Sequence, residues 1–158
     1  MTPAVEALRR AKISHELLSY EHDPTADSYG LEAAEALALD PAVVFKTLVV
    51  ELAGFGLAVA VVPATQRLNL KAVAKAFRAK KAVMADPLRA ERSTGYVLGG
   101  ISPLGQRKRL PTVIDETAAS LGLMHVSAGR RGLEIAVSPR DLITATEAIV
   151  APITAPNS

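Results

Sequence analysis

The chain has 158 residues, 49% of them hydrophobic and 22% charged, so it is long and apolar enough for one domain with a substantial core. The absence of cysteine excludes disulfides, thiolate metal sites and a cysteine nucleophile, and a net charge of +2 is too small to indicate a DNA partner. The first residues lack a secretory leader pattern and no apolar run is long enough to cross a bilayer, so we expect a cytoplasmic protein without a membrane partner.

The first forty residues predict a helix, a strand and a second helix. Thr2 followed by Pro3 is typical of a helix N-terminus, and apolar residues at helical spacing extend this helix to about Ile13. The segment HELLSY (15–20) favours a short strand. After a loop, Ser28 can cap a helix formed by LEAAEALAL.

A pair of apolar segments follows, and the first of them contains one unexpected charge. VVFKTLVVEL (43–52) and LAVAVVP (57–63), joined by AGFG, predict two central strands in a hairpin. Alternate side chains of a strand share one face, so Lys46 interrupts a face formed otherwise by apolar residues such as Val44. An unpaired buried ammonium costs several kcal/mol, so Lys46 either reaches water at a strand end or meets an anionic or polar ligand. The strand alone favours the first interpretation.

The second half of the chain continues the mixture of helices and strands. Asn69, Asp86 and Ser138 are typical N-caps of three further helices, and the last helix is expected to bury Leu142, Ile143, Thr146 and Ile149. The predicted strands are KAVMA (81–85), TGYVL (94–98), PTVIDE (111–116), LMHVS (123–127) and LEIAVS (133–138). No linker divides the chain, so we expect one domain over residues 1–152 and a loose tail over 153–158.

Two glycine-containing loops are candidate ligand contacts. GGISPLG (99–105) follows a predicted strand, and its small residues let backbone N–H groups approach a ligand oxygen. It matches no nucleotide-binding motif, so a tight turn is the favoured interpretation of the loop alone. SAGRRG (127–132) carries two arginines, and three basic clusters at 71–81, 106–109 and 129–131 could converge into a weak phosphate-binding rim.

A metal centre is not expected. His15, His22 and His125 lack the spacing of metal ligands, and there is no cysteine to join them. We therefore predict chemistry without a metal or other cofactor.

Five blocks of the sequence, in order and spread over nearly the whole chain, share their spacing with one protein family. They are EHDP (21–24), VFKTLVV (44–50), KKAVMADP (80–87), RSTGYVLGGISPLGQRKRLPT (92–112) and VSAGRRGLEI (126–135). These blocks resemble the YbaK-type aminoacyl-tRNA deacylases, which are similar to the editing domain of bacterial prolyl-tRNA synthetases. The resemblance implies an α/β (α+β) domain with a mixed, strongly curved or barrel-like sheet flanked by helices.

The resemblance also implies an activity and partners. Members of this family hydrolyse cysteine mischarged on proline tRNA, Cys-tRNA(Pro), without a cofactor, and the substrate's own thiol is the expected nucleophile. The implied partners are the mischarged aminoacyl-tRNA and, in a transient complex, prolyl-tRNA synthetase. Two alternatives stay open: a sister deacylase for alanine or another small residue, and a non-catalytic module that binds tRNA or a synthetase.

The family's site residues can be transferred one by one to matching positions of this sequence, and the resemblance thereby predicts an active site. Its catalytic members are Lys46, as the essential cation, and Gly100. Its substrate-binding members are Tyr20, Tyr29, Thr47, Gly99, Ile101, Ser102, Gly105, Ser127 and Gly129. The chain departs from the family pattern at Tyr29, where phenylalanine is common, and at Glu134, where aspartate is common, so the resemblance predicts the reaction class more firmly than the amino acid preference.

Overall fold

The computed structural model describes residues 1–26 and 28–155. In chain order its helices and strands are α1 (Pro3–Arg10), β1 (His15–Ser19), α2 (Tyr29–Ala36), β2 (Phe45–Leu52), β3 (Gly56–Pro63), β4 (Arg67–Leu68), α3 (Leu70–Ala76), β5 (Ala82–Met84), α4 (Pro87–Thr94), β6 (Thr112–Asp115), β7 (Met124–Arg130), β8 (Leu133–Val137), α5 (Pro139–Thr146), β9 (Ile149–Ala151) and β10 (Thr154–Ala155). Short 3-10 helices lie at Pro41–Val43 and Glu116–Ser120. The predicted mixed α/β domain is confirmed.

A five-stranded mixed sheet in the order β5-β2-β3-β6-β9 forms the centre of the fold. β2 and β3 pair antiparallel over their whole length, which confirms the predicted hairpin, whereas β6 and β9 add in parallel. A second sheet, β1-β8-β7, is antiparallel, and β10 pairs with β4 in a two-stranded ribbon. A bridge between Val44 and His125 joins the start of β2 to β7, so the first two sheets meet there.

Apolar side chains on both faces of the central sheet build two cores. Phe45 and Val49 of β2 point toward the larger core, which β7, β8, α1 and α5 complete, while Val50 and Leu52 point toward the core under α3. Alternation along the strand explains this division, because odd and even residues of β2 face opposite sides. The apolar composition of β2 and β3 follows from burial on both faces.

Local capping signals predicted the helix starts correctly. The side chains of Thr2, Ser28, Asn69, Asp86 and Ser138 each accept a hydrogen bond from a backbone N–H of the first turn of their helix. These bonds satisfy donors that have no partner within the helix.

Four predictions about loops and ends were wrong. The first helix does not reach Ile13, because α1 ends at Arg10 and Lys12 has a φ of +57°. TGYVL is not a strand: α4 extends to Thr94 and ends at Gly95, whose φ of +82° belongs to the left-handed region. Ile149 does not belong to the last helix, because that helix ends at Thr146 and Ile149 lies in β9 with 41% of its surface exposed. The tail is not loose from residue 153, because Ile153 is fully buried and β10 pairs with β4. Residues 156–158 of that predicted tail lie outside the described part of the chain.

No helix in the described ranges combines the length and the apolar character that crossing a membrane would require. Nor do three or more His, Asp or Glu side chains of these ranges come together in a group suited to a metal ion.

Candidate active site

A cavity of about 600 Å³ lies beside the first half of β2. Val44, the residue just before β2, forms a bridge to β7, and β2 pairs with β5 only through Val50, Glu51 and Leu52. Residues 45–49 lie between these two pairings and line the cavity. Other walls come from the end of β1, the start of α2, the segment that joins β5 to α4, the glycine loop after α4, and the β7–β8 hairpin. The cavity therefore forms where the two larger sheets diverge.

Lys46 is the cation that β2 contributes to this cavity. Its side chain is partly exposed, and burial lowers its pKa from the ordinary value. None of the carboxylates described in the structure forms an ion pair with it. The charge of Lys46 is therefore available to a ligand that enters the cavity.

Two buried polar atoms of residues that line this cavity, one on β2 and one on β8, lack partners in the described part of the chain. Thr47 Oγ1 and Glu134 Oε2 form no hydrogen bond with any described residue. Glu134 is only 5% exposed, and burial raises the pKa of its carboxyl to about 8. Because buried polar groups are normally hydrogen-bonded, two such atoms beside one cavity indicate a place for a polar ligand.

Aromatic and hydroxyl groups complete the sides of the cavity. Burial raises the pKa of Tyr20, whose backbone N–H donates to the carbonyl of Gly132 at 2.9 Å. The guanidinium of Arg131 lies 4.0 Å from the ring centre of Tyr29, a cation–π contact. Ser127 Oγ accepts from the N–H of Gly129 at 3.1 Å, which fixes the hydroxyl oxygen at the cavity edge.

The glycine loop approaches the cavity through Gly99 and Ile101. Gly99 has a φ of +87°, and a Cβ there would lie 2.6 Å from Tyr29 Cε2 and 2.6 Å from Arg131 Nε. Arg131 Nη2 also donates to the carbonyl of Leu98 at 3.1 Å. The loop can therefore sit this close to the tyrosine and the arginine only because position 99 carries no side chain.

Four predicted site residues do not line the cavity: Gly100, Ser102, Gly105 and Gly129. The N–H of Gly100 donates to the carbonyl of Val97 at 2.9 Å, so it is not free to bind a ligand oxygen. Ser102 is fully buried and its Oγ accepts from the N–H of Leu104 at 3.3 Å.

The two remaining glycines pack against other parts of the fold. Gly105 has a φ of +66° and sits against the backbone of Pro3, where a Cβ would collide with the carbonyl oxygen. Gly129 has a φ of +111° and packs on the ring of Tyr96. The structure therefore brings Lys46, Tyr20, Tyr29, Thr47, Gly99, Ile101 and Ser127 together at the cavity.

The sequence analysis named Glu134 only as a departure from the family pattern and did not include it, Arg130 or Arg131 among the site residues, although all three line the cavity. The signal for Glu134 was present, because it is a single charge within the apolar strand LEIAV, as Lys46 is within β2. Of the three basic clusters, only the one at 129–131 contributes arginines to the cavity.

Comparisons with known proteins agree with the resemblance of the sequence blocks. A model of the aminoacyl-tRNA editing domain family matches residues 23–145. A relative from Enterococcus faecalis, named a Cys-tRNA(Pro)/Cys-tRNA(Cys) deacylase, EbsC, is 36% identical over 154 residues, which is 97% of this chain and 93% of the relative.

Solved structures share the whole fold. The protein APE2540 superposes with a TM-score of 0.87 at 25% identity, covering 98% of this chain and 100% of that one. A structure described as a trans-editing enzyme for prolyl-tRNA synthetase has a TM-score of 0.80 at 22% identity and covers 98% and 99% of the two chains. The second likeness concerns the fold alone. With the family model spanning most of its length and a relative aligned over almost all of it, this chain belongs to the aminoacyl-tRNA editing domain family.

Proposed function

We propose that the protein is an aminoacyl-tRNA deacylase that removes cysteine from mischarged proline tRNA in trans. The observation that carries this proposal is the cavity beside β2, in which Lys46 has no carboxylate partner among the described residues. Membership of the aminoacyl-tRNA editing family gives the substrate class. The name of the Enterococcus faecalis relative supports cysteine as the amino acid and proline tRNA as one carrier.

Lys46 has the chemistry to stabilise negative charge during hydrolysis. When a nucleophile attacks the ester carbonyl, charge develops on its oxygen, and a cation in a cavity with apolar walls stabilises that charge more than water does. The same cation can instead hold a phosphate of the tRNA end. Both roles require a lysine that is not neutralised by a protein carboxylate.

The nucleophile is proposed to be the thiol of the substrate. The chain has no cysteine, and no histidine lines the described cavity to activate Thr47 or Ser127. The substrate sulfur bonds to the carbonyl carbon, the bond to the ribose oxygen breaks, and that oxygen takes the thiol proton. The cyclic thioester then adds water and opens to free cysteine.

Gly100 is proposed to act through the shape of the loop rather than as a donor. A Cβ at Gly100 would lie 2.8 Å from Arg130 Cα, so the absence of a side chain lets the loop rest on the β7–β8 hairpin. This packing holds Gly99 and Ile101 at the cavity wall. Their N–H groups, which donate to no described residue, are the proposed contacts for the substrate carbonyl.

The proposed partners are the mischarged tRNA and, transiently, prolyl-tRNA synthetase, in the cytoplasm. Among the described residues, Arg130 and Arg131 are the only cations that join Lys46 at the cavity, so free tRNA should bind weakly and with strong salt dependence. A ternary complex with the synthetase would then supply selectivity for proline tRNA.

Deacylation assays with cysteine, alanine and serine on proline tRNA test the proposal. We expect rapid loss of cysteine and slow loss of the other two. Preference for alanine would identify the sister activity, and an absence of turnover with all three esters would identify a non-catalytic module.

A further inference from the structure

The carboxyl of Glu134 has no role in the proposed mechanism, yet its position is unusual. It lies on the central strand of the β1-β8-β7 sheet, between Leu18 of β1 and Ser127 of β7. Only 5% of the residue is exposed, and its Oε2 finds no hydrogen-bond donor among the described residues. A carboxyl oxygen this deeply buried is normally hydrogen-bonded, and the cavity that Glu134 lines is the place from which a ligand can supply the partner.

We propose that Glu134 binds the α-amino group of the aminoacyl ester and so selects substrates with a free amine. This inference rests on the proposed function and adds a specificity-determining contact to it. An aminoacyl ester has one basic group, its amine, and this amine can form a charge-assisted hydrogen bond with a carboxylate. The cysteine thiol and the free ribose hydroxyl beside the ester are uncharged and weaker donors, so the amine is the strongest donor that the substrate offers to a buried carboxyl.

Neither Arg131 nor Lys46 forms an ion pair with Glu134, so the Glu134 carboxyl is available to the amine of the substrate. Arg131 is held by the ring of Tyr29 and the carbonyl of Leu98, and Lys46 forms no ion pair with Glu134. Burial is the cause of the raised pKa of Glu134. A ligand with an amine at one end and a developing oxyanion at the other would match the Glu134 carboxyl, which can give its proton to the amine, and the separate cation of Lys46.

The α-amino group of the substrate and the Glu134 carboxyl have similar pKa values, so a proton can pass between them at little cost. An α-amino group has a pKa of about 7.7–8.0, close to the value of about 8 for the Glu134 carboxyl. A neutral carboxyl meeting a neutral amine can therefore pass its proton to nitrogen and form the ion pair without exchange with solvent.

The test compares two esters on proline tRNA that differ only in the amine: cysteinyl and its deamino analogue, 3-mercaptopropionyl. Both keep the thiol, and the analogue is smaller, so steric exclusion cannot explain a preference for cysteine. Each ester is assayed with the wild-type protein, Glu134→Gln, Glu134→Asp and, as a matched control, the exposed Glu35→Gln. Thermal melting establishes that each variant is folded.

We expect wild type and Glu35→Gln to prefer the cysteinyl ester in kcat/KM by about 100-fold, typical for a buried charged contact. Glu134→Gln should lose at least about 10-fold of that preference, and Glu134→Asp, which keeps the carboxylate, should retain part of it. Equal preference in wild type and a folded Glu134→Gln would overturn the inference while leaving the deacylase intact. Failure of wild type to hydrolyse either ester would overturn the proposed function and this inference with it.

Discussion

Replacing Glu134 by glutamine should change how the stability of the protein depends on pH. Burial raises the pKa of this carboxyl from 4.5 to about 8, so between these values the folded chain holds a proton that the unfolded chain has released. The free energy of unfolding contributed by Glu134 is therefore highest below pH 4.5 and falls as the pH rises to about 8. Glutamine is neutral throughout and does not lose this contribution.

The size of the effect follows from the same two values. At about 1.4 kcal/mol for each pKa unit, the rise from 4.5 to about 8 corresponds to about 5 kcal/mol for ionising the buried group. Relaxation and water entry offset part of this cost, so we expect Glu134→Gln to gain about 2–4 kcal/mol over wild type between pH 5 and pH 8.5.

Urea unfolding at pH 5, 6, 7, 8 and 8.5 measures this difference. The lowered pKa of the His125 imidazole, which burial causes, affects wild type and variant alike and cancels when the two are compared. Glu35→Gln removes an exposed carboxylate and should give a difference that hardly changes with pH. A difference between Glu134→Gln and wild type that stays constant from pH 5 to pH 8.5 would refute a buried, unpaired carboxyl.

Three further outcomes are expected. Lys46→Ala should abolish deacylation yet melt at or slightly above the wild-type temperature, because no described carboxylate pairs with the lysine; undiminished turnover would remove Lys46 from the mechanism. Gly99→Ala should cost about 1–3 kcal/mol of unfolding free energy and most of the activity, whereas Gly54→Ala, with a φ of +82° and open space around its Cβ, isolates the cost of the backbone conformation alone. Equal losses in these two variants would contradict the packing of Gly99 on Tyr29. S-methylcysteinyl-tRNA should compete with the substrate but resist hydrolysis, and its turnover at the cysteinyl rate would exclude attack by the substrate thiol.

Features decided by neighbouring residues were predictable from the sequence, and features decided by distant partners were not. The helix caps and the β2–β3 hairpin depend on a few adjacent side chains, and both were predicted correctly. β9 and β10 are only three and two residues long, and their pairing depends on β6 and β4, which lie far away in the chain. TGYVL looked like a strand because it is apolar, but Tyr96 is buried inside a loop, where its hydroxyl donates to the carbonyl of Leu104 at 2.6 Å.

The candidate site shows the same division. Lys46 was identifiable as an isolated charge on an apolar strand face, and Glu134 carried the same signal. The sequence could not predict that the Gly100 N–H is already occupied. Its hydrogen bond to the carbonyl of Val97 forms only because of the way the loop folds.

The placement of the tyrosines gives the protein a built-in optical reporter. The chain has no tryptophan and three tyrosines, so its intrinsic ultraviolet emission comes from Tyr20, Tyr29 and Tyr96. Tyr20 and Tyr29 line the cavity, and the third is buried with its hydroxyl bonded. Entry of a ligand would change the surroundings of two of the three emitters, so binding can be followed by fluorescence in the unlabelled protein.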